Sequence, residues 1–232
     1  DTCCQHTQEA DPLTVLTPAI EAINIGKDYG TFTALDDVSM KIMPGEFLTL
    51  LGPSGSGKTT LLMILAGFEA VTRGSLKIDG FDRTTANAET RGFGMMFQGY
   101  ALFPHMTVEE NIRTSIEAMS FPRVMTSAQR DYQYERVEYA LERTGLKDKR
   151  HILANDLAYA ERKFLSMARV LATEARLWLL DEPASGLDPQ SYERFLDILR
   201  IEVQKGVTVC IIEHNLDIVI NISDRIAFLD RG

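Results

Sequence analysis

The chain has 232 residues, 45% of them hydrophobic, and a formal net charge of −9. That length suits one large α/β domain with an inserted subdomain, and the acidic balance argues against a nucleic-acid partner, whose docking face would carry a basic patch. No run approaches the roughly 20 apolar residues of a membrane helix, and Cys3, Cys4 and Cys210 form neither a disulfide framework nor a metal site at ligand spacing; a reducing, cytoplasmic compartment is the default.

Residues 1–18 lack both periodicity and a signal-peptide core, so they read as a disordered lead-in to a domain over 19–232. Alternation over 20–25 and 38–42 predicts two half-buried strands of an N-terminal antiparallel β subdomain, with Tyr29-Gly30 in the turn between them. An apolar run over 47–51 then enters Gly52-Pro53-Ser54-Gly55-Ser56-Gly57-Lys58-Thr59-Thr60, and a second apolar run over 61–66 is stopped by Gly67. That is strand, glycine loop and helix with a C-cap glycine. Residues 75–80 predict another strand closed by Asp79-Gly80, and 94–97 a short buried strand ending at Gln98, with Met95 and Met96 as core filling. Strand signals vanish over about 105–160, where Tyr134, Val137 and Leu141 mark a helical stripe, so this stretch reads as an inserted helical subdomain. Phe164, Met167, Ala168 and Leu171 mark the next helix. Leu177 to Leu180 form a continuous apolar run before Asp181-Glu182, as a buried parallel strand should. Tyr192, Phe195, Leu196, Leu199 and Val203 give an amphipathic helix, 207–212 a buried strand ending at Glu213-His214, and 225–229 a last strand. The fold class predicted is therefore α/β, with a mainly parallel core sheet.

The glycine loop fits G-x-x-x-x-G-K-[ST], the P-loop pattern. Its glycines let consecutive backbone N–H groups turn inward around a polyphosphate, and the following helix adds a positive dipole end. Lys58 can neutralise β- and γ-phosphates, and the Thr59 hydroxyl can ligate Mg²⁺. A chance glycine turn would lack the strand before it and the capped helix after it. Ligands of a parallel α/β sheet bind at the carboxyl ends of its strands, which brings Asp181 and Glu182 beside this loop. Two such carboxylates can divide the work, one holding Mg²⁺ and the other deprotonating an attacking water. An ordinary solvated acidic pair would rarely follow so buried a run.

Taken in order, Gly52 to Thr59, Gln98, Asp181-Glu182, Ser185-Gly186-Leu187-Asp188 and His214 resemble the motifs of the nucleotide-binding subunit of ABC transporters, over nearly the whole chain from residue 20. Residues 98–112 look most like the bacterial importers of polyamines, iron and sugars, whereas Glu213-His214-Asn215 and 222–226 look closer to the branched-chain amino acid importers. The resemblance implies ATP and Mg²⁺ as cofactors. It casts Tyr29 as the ring stacking on adenine, Gln98 as a glutamine reaching Mg²⁺ and the attacking water, Asp181 and Thr59 as metal ligands, Glu182 as base and His214 as a γ-phosphate contact. It also implies a second ATP-binding subunit, two membrane permease subunits and, indirectly, a substrate-binding protein, with the chain peripheral on the cytoplasmic face of the inner membrane. One more strand and helix after the last one read here would complete the family core.

The family signature, Leu-Ser-Gly-Gly-Gln, is matched only by Leu157-Ala158-Tyr159-Ala160-Glu161. With Asp188, this segment is expected to face the partner's nucleotide across a dimer. Ala158 lacks the serine hydroxyl, and Ala160 puts a methyl where the backbone should approach phosphate. Hydrolysis is thus in question while nucleotide binding is not. Three readings follow: an ATP-hydrolysing importer subunit, a regulatory nucleotide-binding subunit with weak hydrolysis, and an ABC-type ATPase acting on DNA or ribosomes, the last opposed by the acidic charge.

Overall fold

The computed structural model describes residues 16–118, 126–214 and 220–230. Cys3, Cys4, most of the proposed lead-in and Asn215 lie outside them. Two sheets form the frame. The first is antiparallel, in the order β2-β1-β4-β5, from β1 (Ile20–Tyr29), β2 (Phe32–Ile42), β4 (Arg73–Ile78) and β5 (Phe81–Asp82). β1 and β2 run on past the alternating stretches that announced them, so Tyr29 ends a strand and only Gly30-Thr31 turns. The second sheet is parallel, in the order β6-β7-β8-β3-β9, from β3 (Phe47–Leu51), β6 (Gly94–Met96), β7 (Leu177–Asp181), β8 (Thr208–Ile212) and β9 (Arg225–Phe228).

The continuous apolar runs have a simple cause. Successive side chains of a strand point to opposite faces, and both faces of this sheet are covered. Leu177, Leu179, Cys210, Ile212, Leu48 and Leu50 pack into one core, beneath the antiparallel sheet and against α1 (Lys58–Ala66). Trp178, Leu180, Val209, Ile211 and Phe47 pack into another. That second core also takes α3 (Val108–Glu117), α4 (Ser127–Thr144), α5 (Tyr159–Ala172) and α6 (Pro189–Gln204). A single turn, α2 (Ala88–Arg91), precedes β6.

Helix ends follow their residues. Gly67 is left-handed (φ 87°), and its N–H donates to the carbonyls of Met63 and Ile64, which closes α1. Thr107 and Glu110 form a capping box on α3, and Thr126 and Gln129 another on α4. The helical stripe differs from expectation at one residue. Val137 and Leu141 are buried, but Tyr134 is 60% exposed, and Gln133, Ala140 and Thr144 complete the inner face. The shift follows from Gln133, whose amide donates to Glu117 and so satisfies a polar group inside. Among the described residues, no helix is long and apolar enough to cross a membrane.

Candidate functional site

Four adjacent strands of the parallel sheet end on one edge, in the order β6, β7, β8, β3. Their carboxyl ends deliver Gln98, then Asp181 and Glu182, then Glu213 and His214, then the glycine loop. Residues far apart in sequence become neighbours because the strands that carry them are neighbours.

The loop wraps around its own lysine. Lys58 is 6% exposed, and its Nζ donates to the carbonyls of Gly52 (2.9 Å) and Pro53 (2.7 Å), with Ser56 Oγ at 3.4 Å. Pro53, Ser54 and Gly55 form the exposed crest, Ser56 is buried beneath it, and Thr59 and Thr60 begin the helix on the open side. Gly57 is required where it stands. Its φ is +90°, and a Cβ there would lie 2.6 Å from both the Ala34 carbonyl oxygen and Leu35 Cδ2. β2 therefore closes directly on the loop.

Thr59 and Asp181 meet through a side-chain hydrogen bond. Asp181 is 3% exposed, and burial pushes its carboxyl above the ordinary aspartate range, with the Glu182 charge pushing the same way; Thr59, Lys58 and Lys163 pull against this. Glu182 is held from both sides. Gln98 Nε2 donates to Glu182 Oε2 at 3.1 Å, and His214 Nε2 lies 3.1 Å from Glu182 Oε1. The Glu182 backbone is left-handed (φ 45°), which turns its carboxylate away from the strand line.

Tyr29 is 45% exposed, and the Lys27 ammonium sits 4.8 Å from its ring centroid. The signature segment stands apart from this chain's loop: among the described residues, no hydrogen bond or ion pair joins 157–161 to 52–60. Leu157 is buried. Ala158 is the N-cap of α5 without a side-chain cap, and the Glu161 carboxylate accepts from the Ala158 N–H at 3.0 Å. Glu161 also pairs with Lys149. Ala160 lies within α5 and is absent from the left-handed positions, so its methyl meets no backbone strain there. Asp188 caps α6, its Oδ1 accepting from the N–H groups of Gln190 (3.1 Å) and Ser191 (3.0 Å).

Two groups at the site were given no role by the sequence reading. Lys163 is 1% exposed, and its Nζ donates to the Glu182 carbonyl at 3.0 Å. Glu213 is 4% exposed and accepts from the Ala184 N–H at 3.2 Å. The Lys163 signal was present, since it lies four residues before Met167 on the buried stripe of its helix.

An ABC transporter family model matches residues 35–185. The spermidine/putrescine import ATP-binding protein PotA of Pseudomonas aeruginosa is 38% identical over 216 residues, 93% of this chain and 58% of that protein. The Fe(3+) ions import ATP-binding protein FbpC of Brucella abortus is 38% identical over 210 residues, 90% of this chain and 58% of that one. The chain thus spans about 58% of the length of these curated relatives. Among solved structures, a dimeric post-hydrolysis ATP-binding cassette bound to ADP and Pi superposes with a TM-score of 0.82 at 27% identity, over 92% of this chain and 95% of that chain. The strand order, the loop and the extent of these matches agree: the chain belongs to the ABC transporter family.

Proposed function

We propose that the chain is the ATP-binding and ATP-hydrolysing subunit of a bacterial ABC importer. The observation that carries this reading is Glu182 held between Gln98 and His214, on the sheet edge that bears the Lys58 loop. A polyphosphate entering the loop takes over the Lys58 ammonium from the carbonyls of Gly52 and Pro53, an exchange of neutral for charged acceptors that favours binding. Tyr29 offers its half-exposed ring to the base, which fixes it without reading its edges.

Mg²⁺ fits the residues present. Asp181 is a buried carboxylate beside a threonine hydroxyl, with burial opposing its charge. Among the described residues no cluster of three or more His, Cys, Asp or Glu could hold a metal unaided, which suits an ion that keeps waters and substrate oxygens in its shell. Thr59, Asp181 and Gln98 would hold it, and it would neutralise charge developing on the phosphates. Glu182 accepts the proton of the attacking water, while Gln98 and His214 keep its carboxylate aimed.

The partners implied are a second ATP-binding subunit and membrane permease subunits, with the chain peripheral at the cytoplasmic face and a substrate-binding protein acting indirectly. A groove of about 280 Å³ between the core and the helical layer, lined by Phe68, Met95, Phe97, Tyr100, Arg169 and Val170, suits an amphipathic permease helix. The test is Glu182→Gln. Its amide cannot accept the proton, so ATP should bind normally and drive a stable dimer on size exclusion while hydrolysis stops. Turnover at the wild-type rate would remove Glu182 as base, and unchanged ATP affinity in Lys58→Ala would remove the loop. A regulatory subunit with weak hydrolysis, the reading prompted by the missing hydroxyl at Ala158, is not favoured by relatives that are import ATP-binding proteins.

A further inference from the structure

One face of α5 carries Tyr159, Lys163, Ser166 and Arg169, spaced at successive helical turns. Each of these side chains bonds a backbone carbonyl of another segment. The Tyr159 hydroxyl donates to the Ser185 carbonyl (2.9 Å), and Lys163 Nζ to the Glu182 carbonyl (3.0 Å). Ser166 Oγ donates to the Tyr100 carbonyl (3.0 Å), and Arg169 to the Ala101 carbonyl. Tyr100 is enclosed by the first two. Its ring meets Tyr159 edge-on at 5.8 Å, and the Lys163 ammonium lies 5.2 Å from its centroid.

The segments so held are strained. Glu182 (φ 45°), Tyr100 (φ 67°) and Ala101 (φ 48°) are all left-handed without being glycine, a conformation that persists only where surroundings over-determine it. Gly186 leaves room for the clamp, since a Cβ there would lie 2.7 Å from the Tyr159 hydroxyl. Lys163 is a costly choice for a packing residue. Burial pulls its ammonium below the ordinary lysine range, and Tyr159, Glu213, Glu182 and Asp181 favour the charged form.

We propose that Lys163 and Tyr159 are positioning residues that lock the 182–186 segment, and with it the Glu182 carboxylate, to α5 and to the Gln98-bearing turn. The inference rests on the reading of Glu182 as base. It adds that the helix opened by the signature segment sets the base's position from behind, through bonds to main-chain carbonyls. Glu182 then sits in reach of Gln98 because its own carbonyl and those of Tyr100 and Ala101, just after Gln98, hang from one helical face.

The test is Lys163→Met, Lys163→Gln and Tyr159→Phe in the full chain, followed by amide hydrogen exchange, MgATP titration and steady-state phosphate release. The reporters are the amides of 182–187, whose bonds run from Glu182 N to the Ile212 carbonyl, Ala184 N to Glu213, Ser185 N to the Glu182 carbonyl and Leu187 N to the Ala184 carbonyl. In Lys163→Met and Tyr159→Phe these amides should exchange about tenfold faster, while those of 58–66 keep their rates. In Lys163→Met, MgATP affinity and KM should stay within about twofold while kcat falls about tenfold. Lys163→Gln keeps a donor for the Glu182 carbonyl and should recover to within about threefold of wild type. Wild-type exchange over 182–187 in Lys163→Met overturns the proposal, as does a uniform rise across all segments with a lowered Tm, which would make Lys163 a core residue only. Failure of the wild-type chain to bind MgATP overturns the nucleotide reading instead, and the exchange rates still judge the clamp.

Discussion

At Asp181 the cost of burying a carboxylate outweighs the pull of Lys58 and Lys163, and a metal bound there would offset it. Asp181 binds its proton more tightly folded than unfolded, because burial raises its pKa. The sign is then fixed. Its contribution favours the fold below the ordinary aspartate range and is lost as pH rises through the raised value. Asp181→Asn should therefore stabilise the nucleotide-free chain by about 1 kcal/mol near neutral pH and flatten that dependence. The same change should abolish the part of MgATP stabilisation that depends on Mg²⁺. Thermal melts with and without MgATP, at acid and neutral pH, decide it; an Asn variant that melts lower than wild type without ligand would reverse the assignment. Cys210 differs in kind. It is fully buried and its thiol is pushed up to about 12, so it packs as a small hydrophobe.

Elements explain why the loop sits where it does. β3 is paired on both sides, by β8 and β9, α1 returns along the covered face, and Gly57 joins them in a conformation that β2 leaves no room to change. Gly57→Ala should cost about 2–3 kcal/mol of stability, from left-handed strain plus a clash with the Ala34 carbonyl. Urea melts measure it, and a loss below the error of such melts would mean the loop relaxes freely. This local logic was legible in the sequence, because strand, loop and helix are contiguous and the residue types at each step have one cheap conformation. The buried runs of β7 and β8 were legible for a related reason, since a strand covered on both faces needs apolar residues throughout. Tyr134 misled because three residues define a helical face too loosely, and a satisfied Gln133 outranked it inside. The α5 clamp was invisible for a deeper reason. It joins 98–101, 159–169 and 182–186 through main-chain carbonyls, which carry no mark in the sequence.

At the scale of the whole molecule, the proposed dimer would set 157–161 against another copy's nucleotide. Among the described residues no hydrogen bond or ion pair joins this segment to the glycine loop, so its alanines should leave monomer binding alone. Ala158 nevertheless withholds a donor, and a hydrogen bond to a charged group is worth about 1.5–3 kcal/mol, or roughly tenfold to a hundredfold in rate if it tightens in the transition state. The two reversions should then part company in stability. Ala158→Ser adds the missing cap to α5 and should stabilise by about 1 kcal/mol. Ala160→Gly sits inside the helix and should cost about 1 kcal/mol, since glycine there loses more backbone entropy. The double variant should melt close to wild type, yet release phosphate at least about tenfold faster at concentrations where the chain dimerises. Rates measured across the dimerisation range separate the causes. An acceleration that persists at monomer concentrations would place the effect within one chain. Equal and brisk rates for both proteins would show that the alanines are harmless and that the ATPase reading stands over the regulatory one.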